Sequence, residues 1–120
     1  TVDTLAEADA PGRGRVVVVL VTAPDANVAE QIAGALVQER LAACANVVDG
    51  LRSIFWWKGA IERASEALVI LKSTAGAVEA LRRRVLELHP YEVPEVVALP
   101  VEAGHGPYLD WVRTSVGAGP

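Results

Sequence analysis

Two stretches of this chain are apolar without alternation, Arg15–Thr22 (RVVVVLVT) and Ala67–Leu71 (ALVIL). Side chains along a strand point to opposite faces in turn, so a strand wetted on one side alternates and a strand covered on both sides does not. Both stretches therefore read as inner strands of a sheet whose two faces must both be dry. The material available is residues 15–116, read as one domain. Thr1–Gly14 is rich in Ala, Asp and Glu, ends in Pro11-Gly12-Arg13-Gly14 and has no burying period, which predicts a mobile tail. Gly117–Pro120 is expected to be a second loose end.

The elements between follow from spacing. Pro24 and Asp25 turn the chain, Asn27 with Glu30 fits a capping box, and Val28, Ile32 and Leu36 recur at helical intervals, predicting a helix to about Leu41. Cys44–Trp57 reads as one strand bent at Asp49-Gly50, Lys58-Gly59 as a tight turn, and Ala60–Ser73 as the returning partner. Thr74 can cap a second helix with Val78, Leu81, Val85 and Leu88 on one stripe, stopped near His89 by Pro90. Pro94–Val101 fits a short edge strand, and Gly106-Pro107 can open a last helix with Leu109, Val112 and Val116 inward. The order βαββαβ plus a C-terminal helix is that of an α+β split βαβ arrangement, with an antiparallel sheet and both main helices on one face.

That arrangement leaves the second face bare, although Val16–Val21 and Leu68–Leu71 are apolar on both sides. One short terminal helix cannot screen four strands, so partner chains are the economical cover. The two hairpin strands, about fourteen residues each, reach about 45 Å at 3.3 Å per residue, which overshoots a small sheet. Phe55, Trp56 and Trp57 at the tip suit interface anchors; the alternative is that they fold back on their own domain. Arg52, Lys58 and Glu62 would give that arm polar edges.

Composition excludes several roles. Eleven Lys plus Arg against fifteen Asp plus Glu give a net charge of −4, the wrong sign for nucleic acid. The longest apolar run is far below the roughly 20 residues of a membrane span. The single cysteine forbids an internal disulfide, and Thr1–Arg15 lacks the apolar stretch of a secretion signal, which makes a cytoplasmic location the default. Without a Gly-rich phosphate loop, a nucleophile elbow or paired histidines, an enzyme is not expected.

VVLVTAPD, AEQIAGALVQERLAACANVV, SIFWWKG, LKST, LHPYEVPEVVALPV and YLDWV occur in this order over roughly Val16–Val116. Together they resemble the CutA family of divalent-cation tolerance proteins. The resemblance implies a ferredoxin-like fold, a compact homotrimer with inward sheets and exchanged hairpins, and a role in metal tolerance, copper above all, without a defined catalytic activity. The family is similar to the PII signalling proteins in fold and assembly, which raises a second possibility, sensing of a small anionic or polar ligand at a cleft between subunits. A third is a structural assembly module.

Metal sites in the family are associated with a cysteine before the Thr-Ala-Pro-Asp turn and two histidines before Pro-Tyr. Here Val21 and Leu88 stand in for the cysteine and the first histidine, leaving His89. His89 and Cys44 are the metal candidates, for Cu²⁺ or another divalent cation held weakly, with Glu92, Glu95 or a neighbouring chain recruited to complete a set of three or four donors. The alternatives are a buried apolar thiol at Cys44 and, at His89, a ring that serves the last-turn carbonyls of its helix. Lys72, Tyr91, Glu92, Tyr108 and Trp111 are candidates to line a ligand cleft, although Lys72 also reads as an end-of-strand cation reaching water. His105 reads as a solvated loop residue, and Arg82, Arg83 and Arg84 as a solvated helix flank.

Overall fold

A computed structural model of the chain describes residues 5–6 and 12–117. Its elements are β1 (Leu5–Ala6), β2 (Val16–Ala23), α1 (Ala26–Gln38), β3 (Cys44–Trp57), β4 (Ala60–Thr74), α2 (Val78–Leu88), β5 (Val97–Pro100), β6 (Gly104–His105) and α3 (Gly106–Ser115). Four strands form an antiparallel sheet in the order β3-β4-β2-β5. The two strands without alternation, β2 and β4, are thus the inner pair.

Pairing fixes which side chains share a face. Val17, Val19, Val21 and Ala23 of β2 lie opposite Ser73, Leu71, Val69 and Ala67 of β4. This row is buried and packs with Ile32 and Leu36 of α1 and Leu81 and Val85 of α2. The alternate row, Val18, Leu20 and Thr22 against Lys72, Ile70 and Leu68, points away from the helices and is only half-buried. Val48, Val97 and Leu99 extend it toward both sheet edges and are 44–47% exposed. Helix α3 covers one end alone, burying Val16 beneath Leu109 and Val112. Within one chain the second face is therefore apolar and largely uncovered.

Beyond β2, strands β3 and β4 continue as a paired arm to Trp57↔Ala60, and the molecule measures 51 × 31 × 23 Å. The register shifts once, between Val48 and Leu51, where Gly50 has φ +78°, so the expected bend at Asp49-Gly50 is a β-bulge. At the tip Lys58 (φ +51°) and Gly59 (φ +84°) form a two-residue turn whose left-handed conformations match the twist of the arm.

Several boundaries differ from expectation. The helix cap is Asp25, whose Oδ1 accepts the Val28 amide at 2.8 Å; Asn27 already lies inside α1. Helix α1 ends at Gln38 and not near Leu41, because Leu41 N bonds Leu36 O and Arg40 N bonds Val37 O, a Schellman closure with Arg40 left-handed at φ +59°. The Arg40 guanidinium also donates to Ser115 O at 3.2 Å, and Gly117 N donates to Arg40 O. Thr74 makes no side-chain cap bond and precedes a 3-10 turn, Ala75–Ala77; its neighbour Ser73 is the structural hydroxyl, donating to Leu41 O at 2.7 Å. Strand β5 is shorter than Pro94–Val101, since its pairing with β2 runs only from Val97 to Pro100.

The expected N-terminal tail contains structure. Leu5 and Ala6 pair with His105 and Gly104, and Gly12–Gly14 form a 3-10 turn. Pairing of this kind uses backbone groups and leaves no apolar period to read. Residues 1–4, 7–11 and 118–120, the rest of both expected tails, lie outside the described residues. Among the described residues, no helix is long and apolar enough to cross a membrane.

Candidate functional site

The residues singled out from sequence do not form one site. They divide between the two ends of the uncovered sheet face. At the end beneath α3, Cys44 lies directly opposite Lys72 in the ladder. The Cys44 Sγ is 3.5 Å from the Tyr108 hydroxyl, Tyr108 stacks obliquely on Trp111 at 5.6 Å, and Lys72 Nζ donates to Asn46 Oδ1. Burial, followed by the contact with Cys44, pushes the Tyr108 phenol up to about 12. Lys72 is thus held by a side-chain partner on the sheet and does not simply reach for water.

At the other end His89 is 92% buried after α2 stops. Its Nε2 is 2.6 Å from Thr22 O; a carbonyl only accepts, so Nε2 carries the proton and donates. Its Nδ1 accepts the Tyr91 amide at 3.1 Å. Both nitrogens of the neutral ring are engaged, and the ring clips the loop after α2 to β2 instead of serving its own helix's carbonyls. Thr22 faces Leu68 and Cys44 faces Lys72, so the carbonyl that holds His89 and the Cys44 thiol lie on opposite sides of β4 and are offset by four residues along it, roughly 13 Å in the strand direction alone. Among the described residues no three His, Cys, Asp or Glu side chains converge as a metal cage would require.

The same end opens into a groove of about 760 Å³ between the arm and the loop 91–95, lined by Thr22, Ser53, Phe55, Trp57, Tyr91 and Val93 together with charged residues. The bulge decides which arm residues face it. Before the bulge Val48 pairs with Leu68, and after it Leu51 pairs with Glu66, so Ser53, Phe55 and Trp57 share a face with Ala64, Glu62 and Ala60. Trp56 falls on the opposite face and is 72% exposed. The charged lining is four glutamates, Glu62, Glu66, Glu92 and Glu95, against Arg63. Glu66 is 93% buried, and its Oε2 accepts the Tyr91 hydroxyl at 2.6 Å. Burial first, and then this bond, push the Tyr91 phenol up to about 12. The Lys58 ammonium lies 3.8 Å from Glu92 Oε1 and 5.5 Å from the centre of the Trp57 ring.

Residues 17–115 match the family model described as CutA1 divalent ion tolerance protein. The chain belongs to the CutA1 family. It is 52% identical over 100 residues to the divalent-cation tolerance protein CutA of Thermus thermophilus, covering 83% of this chain and 97% of that one. It is 51% identical to human Protein CutA, again over 83% of this chain but 56% of the human protein, so it spans little more than half of that relative. Among solved structures, the Thermus thermophilus divalent cation tolerance protein superposes with TM-score 0.83 at 51% identity, over 85% of this chain and 99% of that chain. The Oryza sativa CutA1 crystal structure superposes with TM-score 0.84 at 37% identity, over 89% and 98%.

The CutA1 match spans both ends of the uncovered face, so Cys44, Lys72, Tyr108 and Trp111 as well as His89, Tyr91 and Glu92 lie within it. The proposed cleft set splits, with Tyr91 and Glu92 at the groove and Lys72, Tyr108 and Trp111 at the opposite end. Sequence reasoning missed Glu66. A signal for it existed: an acid immediately before Ala67–Leu71, in a strand that is otherwise apolar there, has to find a partner.

Proposed function

We propose that this chain serves divalent-cation tolerance, copper foremost, as a homotrimer of ferredoxin-like subunits that catalyses no reaction. The observation that carries this reading is the uncovered apolar face of β2 and β4, flanked by Val48, Val97 and Leu99. An apolar surface of this extent favours association, and Phe55, Trp56 and Trp57 on the projecting arm suit anchors on a neighbouring subunit. The names of the relatives supply the tolerance role. Metal then acts on the assembly or at sites completed between chains, because coordination by His89 within one chain would first have to break its bond from Tyr91 N or its bond to Thr22 O. A cytoplasmic location is part of the proposal; it rests on the single cysteine and is checked by cell fractionation.

Light scattering tests the assembly. The expected mass is three times the 12.7 kDa subunit, and a lone subunit at micromolar concentration would remove the central argument. Calorimetric titration with Cu²⁺ and Zn²⁺ tests the metal role. Heat that persists in His89→Ala supports sites built elsewhere in the assembly, whereas heat abolished by that change would restore direct ligation.

The PII-like reading, a sensor of a small ligand, is favoured by one observation, the groove beneath the arm. Its glutamates oppose an anion. A ligand there is cationic or neutral.

A further inference from the structure

We propose that the groove beneath the arm receives the α3 end of a second copy of this chain, with the partner subunit's Lys72 seated among the groove's carboxylates. The proposal deepens the homotrimer reading and rests on it.

The first ground is a cation without an acid. Lys72 points with Ile70 and Leu68 to the uncovered side of β4 and is half-buried within one chain. Its Nζ donates to Asn46 Oδ1, a neutral acceptor, and among the described residues it has no ion pair with a carboxylate. A cover laid over this row strips water from the ammonium, and that desolvation is tolerated only where the cover brings a negative charge.

The second ground is the converse at the other end of the same face. Side chains alternate along a strand, so Glu62 and Ala64 point to the same side of β4 as Lys72. Of the groove glutamates, Glu66 is engaged by Tyr91 and Glu92 by Lys58. Glu62 and Glu95 are exposed and, among the described residues, have no ion pair, even though Arg63 shares the lining. Along β4, Glu62 and Lys72 are roughly 33 Å apart, so the two charges cannot meet within one chain.

Closure then selects the partner. Rings with threefold symmetry join one patch of each subunit to a different patch of the next, and opposite charges at two ends of one face meet that condition. The apolar surfaces match as well. Phe55 and Trp57 wall the groove. Tyr108 and Trp111, 39% and 46% exposed at the Lys72 end, are aromatics of the size that such walls bury. The arm's anchors are thereby given the surface they rest on.

The test uses a zero-length carbodiimide, which joins an amine to a carboxylate only where the two already touch. The chain has two lysines, so the products are few. In the assembled protein at low salt, a covalent two-chain band on a denaturing gel is expected, with Lys72 joined to Glu62 or Glu95 in its peptide map. Lys72→Arg, which keeps the charge but not the acylatable amine, should remove the band and leave the particle mass unchanged. Lys72→Glu should raise the dissociation constant of the assembly at least about tenfold, and adding Glu62→Lys and Glu95→Lys to it should recover most of that loss. A particle of three subunits whose Lys72 joins no carboxylate of a second chain overturns the proposal and leaves the homotrimer standing. So does a folded charge-reversed chain whose assembly is not recovered. A particle of one subunit overturns the homotrimer as well. If Lys72→Glu does not fold, the cross-link map of the unaltered chain decides.

Discussion

Val19 and Leu20 are neighbours in β2, yet Val19 is fully buried beneath the helices while Leu20 stays half-open on the other side. Across the ladder the same contrast separates Leu71 from Ile70. Composition does not tell these positions apart, since all four are aliphatic. The difference is the cover: α1 and α2 seal one face along its length, and α3 reaches only one end of the other. Folding energy is thereby concentrated on the helix side, and the remaining apolar surface is left for association.

The largest expected effect tests the sealed face. Leu36→Ala removes a fully buried side chain of α1 and should cost about 3 kcal/mol in urea unfolding. Leu20→Ala should cost a dissociated subunit less than about 1 kcal/mol, because a half-open site gives up less area. Equal losses would erase the distinction between the faces. Ile70→Lys comes next: circular dichroism should be retained while the particle mass measured by light scattering falls to a single subunit. A folded assembly of unchanged mass would show that this row is not an interface. Ser73→Ala, on the sealed side, removes the donor to Leu41 O and should cost about 1–2 kcal/mol.

The smallest effect is a pH dependence on the open side. The chain's two tyrosines, Tyr91 and Tyr108, both have folded pKa values near 12. Phenolate absorbance should therefore rise near pH 12 in the folded protein and near pH 10 in urea. A raised folded pKa contributes stability that is fully present below pH 10 and is lost as pH climbs to 12. Phenolate formation near pH 10 in the native protein would show these hydroxyls to be ordinary surface groups.

Much of the fold was legible because it is written in periodicity. The unbroken Val16–Val21 run placed β2 inside the sheet, Asp49-Gly50 marked the bulge, and Lys58-Gly59 marked the tip. The misses are contacts between residues distant in sequence. Helix α1 stops early through a closure in which Arg40 stands where glycine is usual, and β1 forms through backbone pairing with β6. The site was harder still. His89 was chosen for its imidazole, but its position is set by Thr22, 67 residues away. Tyr91 and Glu92 were grouped with Lys72, although ladder register sets them at opposite ends of one face. Glu66 acquires its meaning only when the bulge turns Phe55 and Trp57 toward it.

Arg40 has a consequence for the order in which the chain assembles. It ends the first helix with its backbone and fastens the last helix with its guanidinium, a tie spanning 75 residues. Closing so long a loop is entropically slow, so α3 is expected to dock after α1 has formed, and pulse-labelling hydrogen exchange during refolding should protect its amides later than those of α1. Replacing Arg40 with glycine would relax the left-handed backbone by roughly 1 kcal/mol while letting the C-terminal helix peel away sooner. The head of the fold would become firmer as its tail became looser.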